Sequence, residues 1–218
     1  MNRAEVFPHR VLSVRNVNES VFVIRLKRNG MIFKTGQHIN VGPYNAGYTR
    51  EYSVYSGEND SDIEVLVKEV KPPDGFVSPM LREVKAGDKV MVEWPLGYFA
   101  LPSKPSKLLL VATGTGIAPY HSFISTHPDL DYVLLHGIEQ RSDACEPEFY
   151  DSEKLFLCTS KKDDGDYFGR VTSWLQENDL SIFEHVYLCG NRNMINDARE
   201  ILTKKGFDPE QIRAEAYF

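Results

Sequence analysis

At 218 residues the chain can hold one large domain or two of ordinary size, with a substantial buried core. Its composition, 42% apolar and 26% charged, is that of a globular protein, and no apolar run approaches the roughly 20 residues that span a bilayer. A net charge of −6 gives no support to nucleic-acid binding and leaves any acidic protein partner dependent on a local basic patch. The start, Met1-Asn2-Arg3-Ala4-Glu5, lacks the apolar stretch of a signal peptide, so a cytoplasmic chain is expected. A monomer is the expected state. Cys145, Cys158 and Cys189 contain no Cys-x-x-Cys pair, which argues against a disulfide framework, a zinc site or a four-cysteine cluster.

In chain order, residues 9–17 and 20–27 mix β-branched and polar residues at period two, and residues 62–70 repeat the pattern. Asn29-Gly30, Gly42-Pro43, Asn45-Ala46-Gly47, Asp74-Gly75, Gly87-Asp88 and Pro95-Leu96-Gly97 punctuate these strands. Many short strands with regular turns predict a small antiparallel β-barrel. One helix is expected inside it over residues 79–84, with Ser78 as its N-cap and Pro79 at its first position.

After Pro102-Ser103-Lys104-Pro105-Ser106 the rhythm changes. Leu108-Leu109-Leu110-Val111-Ala112 is apolar throughout, as a buried parallel strand should be. Residues 132–135, 155–159 and 186–188 are further apolar strands, and residues 170–178 and 193–205 have helical periodicity. The alternation predicts a parallel sheet with helices on both faces. The expected domains are residues 1–102 and 103–218.

Four short motifs carry chemistry. Arg50-Glu51-Tyr52-Ser53 alternates along a strand, so Tyr52 faces away from Glu51 and Ser53; an Arg fork suits phosphate and a phenol ring suits a flat heterocycle, although an ordinary exposed strand would read the same. Gly75-Phe76-Val77-Ser78 feeds a helix N-terminus, where free N–H groups and the helix dipole favour phosphate; a capped helix in a barrel loop fits equally. Gly114-Thr115-Gly116-Ile117-Ala118-Pro119 follows the apolar strand and lets the backbone approach a ligand. It lacks the third glycine of the dinucleotide fingerprint, so a generic strand–helix turn stays open. Leu188-Cys189-Gly190-Asn191 ends another apolar strand, and a buried structural thiol is the plain alternative for Cys189. His38 and His121 are expected to be structural.

In this order, together with Gly97-Tyr98-Phe99 and the final Ala214-Glu215-Ala216-Tyr217-Phe218, these motifs resemble the plant-type ferredoxin–NADP(+) reductase family, in its small bacterial ferredoxin/flavodoxin form, over nearly the whole chain. The resemblance implies an FAD-binding barrel followed by an NADP-binding α/β domain. It implies FAD contacts from Arg50 to the pyrophosphate, Tyr52 to one flavin face and Ser53 near flavin N5, with Val67, Lys68, Gly75, Val77 and Ser78 completing the site. Phe218 would cover the second flavin face, with Tyr217 as a competing stacker, and Glu215 would hydrogen-bond or relay a proton nearby. NADP would lie against Thr115, Gly116, Arg141, Ser160, Lys161, Arg170, Cys189, Gly190 and Asn191, with Cys189 beside the nicotinamide. Ser53, Cys189, Glu215 and Phe218 are thus the expected catalytic residues.

The implied activity is hydride transfer from NADPH to flavin N5 and release of single electrons to a ferredoxin or flavodoxin. Each charge-assisted bond to an adenosine 2′-phosphate contributes on the order of 1.5–3 kcal/mol, so two would favour NADPH over NADH about a hundredfold or more. Lys161 stands where the family usually carries Arg, and Asp163, Asp164 and Asp166 weaken the local positive field; a solvated lysine pair is the other reading. The competing functions are a reductase component of an oxygenase or a free-flavin reductase and, from another class, a non-enzymatic electron-transfer subunit.

Overall fold

The computed structural model describes residues 6–102 and 107–217. Packing divides the chain into two compact units, one running to Leu101 and including Ala118–Pro128, the other Pro102–Ile117 with Asp129–Phe218.

The first unit holds strands β1 (Val6–Asn16), β2 (Val21–Lys27), β3 (His38–Pro43), β4 (Arg50–Ser53), β5 (Asp62–Lys68) and β6 (Lys89–Glu93). They form one antiparallel sheet in the order β4-β3-β6-β1-β2-β5. An isolated bridge from Val54 to Val65 nearly joins its two edges, so the expected barrel is present. Phe22, Ile24, Leu26, Ile39, Val41, Ile63, Val65, Val90 and Val92 fill its interior, the inward row that period-two patterning supplies.

Helix α1 (Val77–Arg82) adds Val77 and Leu81 to that core. This corrects the expected cap. Ser78 is the second helical residue, the N-cap position belongs to Phe76 without a capping side chain, and the Ser78 hydroxyl accepts the Val70 N–H at 2.9 Å instead. The serine therefore fastens the helix to the chain leaving β5.

Helix α2 (Ala118–Thr126) packs within this same unit. His121 stacks on Tyr55 with ring centroids 3.7 Å apart and bonds the Tyr55 carbonyl at 2.7 Å. Ser122 donates to the Ser56 carbonyl at 2.7 Å, and the Thr126 hydroxyl accepts the Glu58 N–H at 2.9 Å. His121 has the structural role expected of it.

The second unit contains β7 (Leu108–Thr113), β8 (Tyr132–Ile138), β9 (Leu155–Thr159), β10 (Tyr167–Phe168), β11 (His185–Asn191) and β12 (Ile212–Tyr217). All are parallel, in the order β10-β9-β8-β7-β11-β12. Helices α3 (Val171–Glu177) and α4 (Arg192–Lys204) share a core with Leu109, Val111, Leu135, Val186 and Leu188. The alternate row, including Leu108, Leu110, Leu134 and Tyr187, is equally buried, which is why the strands read as apolar throughout. The sheet order reverses between β7 and β11, making that pair its topological switch point.

Candidate functional site

On the barrel, Arg50 and Tyr52 lie on one side of β4, close enough for the Arg50 charge to oppose the rise in the Tyr52 pKa. Burial dominates and pushes the Tyr52 phenol up to about 12, so it stays neutral, a half-buried ring whose apolar body packs on the barrel core. The Arg50 guanidinium donates to the Thr49 carbonyl at 2.9 Å and has no ion pair among the described residues, so most of its fork can face an anion. Ser53 is buried and pairs with His38 across β3. Val67 is a core residue, whereas Lys68 is exposed at the end of β5. Gly75 is sterically required, since a Cβ there would lie 2.3 Å from the Val70 carbonyl oxygen. These residues fit a ring with a phosphate tail: an aromatic face, an unpaired Arg fork, and a first helical turn that no side chain caps.

In the second unit the glycine turn occupies residues 114–117 at the carboxyl end of β7, and Gly190-Asn191 end β11 beside it. Two close approaches lock these segments together. A Cβ on Gly116 would lie 2.3 Å from the Cys189 carbonyl oxygen, and one on Gly190 would lie 2.3 Å from Thr113 Oγ1. The Asn191 N–H donates to that same Oγ1 at 2.9 Å. Gly114 differs: its φ of +53° demands the left-handed region, yet a Cβ would meet nothing within 4 Å. This open, glycine-lined turn at the switch point is where a doubly wound sheet receives a nucleotide. Thr115 beside it is half-buried, and Asn191 spends its side chain capping α4 through the Asn193 and Met194 N–H groups.

The sheet register sets Cys189 opposite Glu215 and Asn191 opposite Tyr217. Cys189 is fully buried, and its thiol is pushed well above the usual range, first by burial and then by the Glu215 carboxylate, against hydrogen bonds from Tyr217 and the Gly190 N–H. It is a neutral, polarizable thiol rather than a nucleophilic thiolate. Phe218 lies outside the described residues.

The remaining residues line the same carboxyl edge farther along. Ser160 follows β9, and its hydroxyl donates to the Ile138 carbonyl at 3.2 Å. Lys161 Nζ is 2.8 Å from Glu139. Arg141 donates from Nε to the Asp164 carbonyl at 2.6 Å and pairs with Asp166 at 3.2 Å. Arg170 is exposed at the N-cap position of α3, with no ion pair among the described residues.

Residues 8–101 match the oxidoreductase FAD-binding domain family and residues 110–200 the oxidoreductase NAD-binding domain family. The chain belongs to the ferredoxin–NADP reductase family. It is 28% identical over 217 residues to the flavodoxin/ferredoxin–NADP reductase of Escherichia coli (strain K12), covering 87% of each chain. It is 27% identical to the toluate 1,2-dioxygenase electron transfer component of Pseudomonas putida, over 95% of this chain and 66% of that one. Its fold matches the ferredoxin NADP+ reductase of Neisseria gonorrhoeae, a structure with bound FAD and NADP, at a TM-score of 0.87 and 22% identity, covering 99% of this chain and 100% of that one.

For a flavin- and nicotinamide-dependent oxidoreductase with an electron-carrier partner, the site also contains residues that sequence reasoning passed over. Thr113 is one, since its hydroxyl ties the β7 turn to β11. His136 is another. Its Nε2 lies 2.9 Å from the Gly114 carbonyl, and burial pushes its pKa down to about 4 despite that bond. The imidazole is therefore neutral and must carry its hydrogen on Nε2, because a carbonyl only accepts. It holds the Gly114 peptide in place. Nothing in a lone histidine on an apolar strand signals this; only the parallel pairing of β7 with β8 sets it under the turn.

Proposed function

We propose that this chain oxidises NADPH and passes the electrons one at a time to a ferredoxin or flavodoxin. Residues 1–102 bind FAD and residues 103–218 bind the nucleotide. The observation that carries the reading is the glycine turn at the switch point of a parallel sheet, preceded in the same chain by an FAD-binding domain. Bound FAD would supply the change from a two-electron hydride donor to one-electron delivery. The protein's part is to bind and orient. Arg50, with Gly75, Val77 and Ser78, holds the pyrophosphate, while Val67 and Lys68 border it. Tyr52 supplies a neutral ring for one flavin face, and Phe218 the ring for the other. Ser53 offers a hydroxyl near N5.

Thr115, Gly116, Gly190 and Asn191 cradle the nucleotide, and Ser160, Lys161, Arg170 and Arg141 face its adenosine phosphate. Cys189 places an uncharged sulfur beside the nicotinamide, and Glu215 relays a proton. We read the protein as a monomer acting in the cytoplasm, without nucleic acid.

A second reading, the reductase component of an oxygenase, is favoured by the similarity to the toluate dioxygenase component over 95% of this chain. The purified protein should release FAD rather than FMN on heating and bleach on anaerobic addition of NADPH. It should then reduce ferredoxin or flavodoxin faster than free flavin. A colourless protein, FMN as its flavin, or no bleaching would overturn the proposal; transfer only to an oxygenase's own ferredoxin would select the second reading.

A further inference from the structure

Glu139 is the first residue beyond β8, the second strand of the nucleotide unit. Beyond the neighbouring β9, the Lys161 and Lys162 N–H groups donate to the Glu139 carbonyl at 2.9 and 3.2 Å. The main chain thus fixes the two loops side by side, whatever their side chains do. On that frame Lys161 Nζ reaches the Glu139 carboxylate at 2.8 Å, with the two side chains 68% and 62% exposed. Arg141 is committed to Asp164 and Asp166, and Lys162 lies 3.5 Å from Asp164. Set against Arg141, Lys161, Lys162 and Arg170, the acids Glu139, Asp163, Asp164 and Asp166 leave this edge without net positive charge. Such an edge is poorly built to select a doubly charged phosphate. In sheets that carry the dinucleotide fingerprint, whose third glycine this turn lacks, an acid past the second strand, about 20 residues beyond the glycine turn, accepts a ribose hydroxyl of NADH and disfavours a 2′-phosphate. Glu139 occupies that place.

We propose that Glu139 is a specificity-determining residue. Its carboxylate competes with the adenosine 2′-phosphate for Lys161 and accepts a ribose hydroxyl when that phosphate is absent, so the enzyme uses NADH as well as NADPH. The inference rests on the reading of residues 103–218 as the nicotinamide-nucleotide domain.

The test is Glu139→Gln in the flavin-loaded protein, which keeps the carbonyl that holds the loops and removes only the charge. The NADPH/NADH ratio of kcat/KM should rise about twofold to fivefold, the range expected for an exposed charge pair. The change should lie in KM. Calorimetry without turnover should show 2′,5′-ADP binding tighter by a similar factor and 5′-AMP no tighter. In a Lys161→Ala background the gain should largely vanish. An unchanged or lower ratio would overturn the proposal, as would a full gain that persists without Lys161. Failure of the parent protein to bind either adenosine nucleotide would instead overturn the nucleotide-site reading beneath it.

Discussion

At the scale of single residues, His136 shows how one buried side chain serves a loop it does not belong to. Its imidazole is 1% exposed, and its Nε2 bonds the Gly114 carbonyl. Protonation would bury a charge, and the stronger bond it would make to the Gly114 carbonyl does not offset that cost. The folded pKa of about 4 lies below the ordinary 6.5, so between those values the unfolded chain binds the extra proton. Stability from this group is therefore complete above pH 6.5 and is lost as pH falls toward 4, by about 3 kcal/mol in all. Urea titrations across that window should show unfolding free energy rising with pH. In His136→Gln the slope should flatten by close to one proton, while NADP+ affinity falls at neutral pH through the loosened Gly114 peptide. An unchanged slope would mean that the histidine titrates normally.

At the scale of elements, the ends matter more than the bodies. Helix α1 is six residues long and gains little by itself; Val77, Leu81 and the Ser78–Val70 bond hold it on the barrel. The Ser78 oxygen accepts from Val70, which leaves its own hydrogen for a phosphate. Ser78→Ala should therefore act twice. The flavin-free protein should lose about 1 kcal/mol of stability, measured by chemical denaturation, and FAD should also bind more weakly. Full stability without flavin would show that the Val70 bond is dispensable. Strand β12 was not legible as a strand because Ile212–Tyr217 mixes apolar, small and charged residues without a run. Its partner supplies what its own pattern lacks, since β11 pairs with it along six residues.

At the scale of the whole molecule, both cores are made of residues the sequence marks, by alternation in the barrel and by continuous apolar runs in the parallel sheet, and all three cysteines are buried, at 0–1% exposure. Burial pushes Cys158 up to about 12 and Cys189 well above the ordinary thiol range. The native protein at pH 8 should thus react with a thiol reagent at none of the three, and with all three once unfolded in urea; fast native labelling at Cys189 would show its pocket open. The barrel, the parallel sheet and the two glycine turns were readable from the chain alone, because periodicity and turn residues are local and their spacing survives in one dimension. The N-cap of α1 was misread because a serine before a proline fits two roles, and only the position of Val70 chooses between them. The tie from His136 to Gly114, the clasp of Thr113 on Asn191 and the pairing of Lys161 with Glu139 were not readable at all. Each joins residues 20 or more apart through strand order and register, which depend on how every other strand is paired, so these contacts were decided by the tertiary structure.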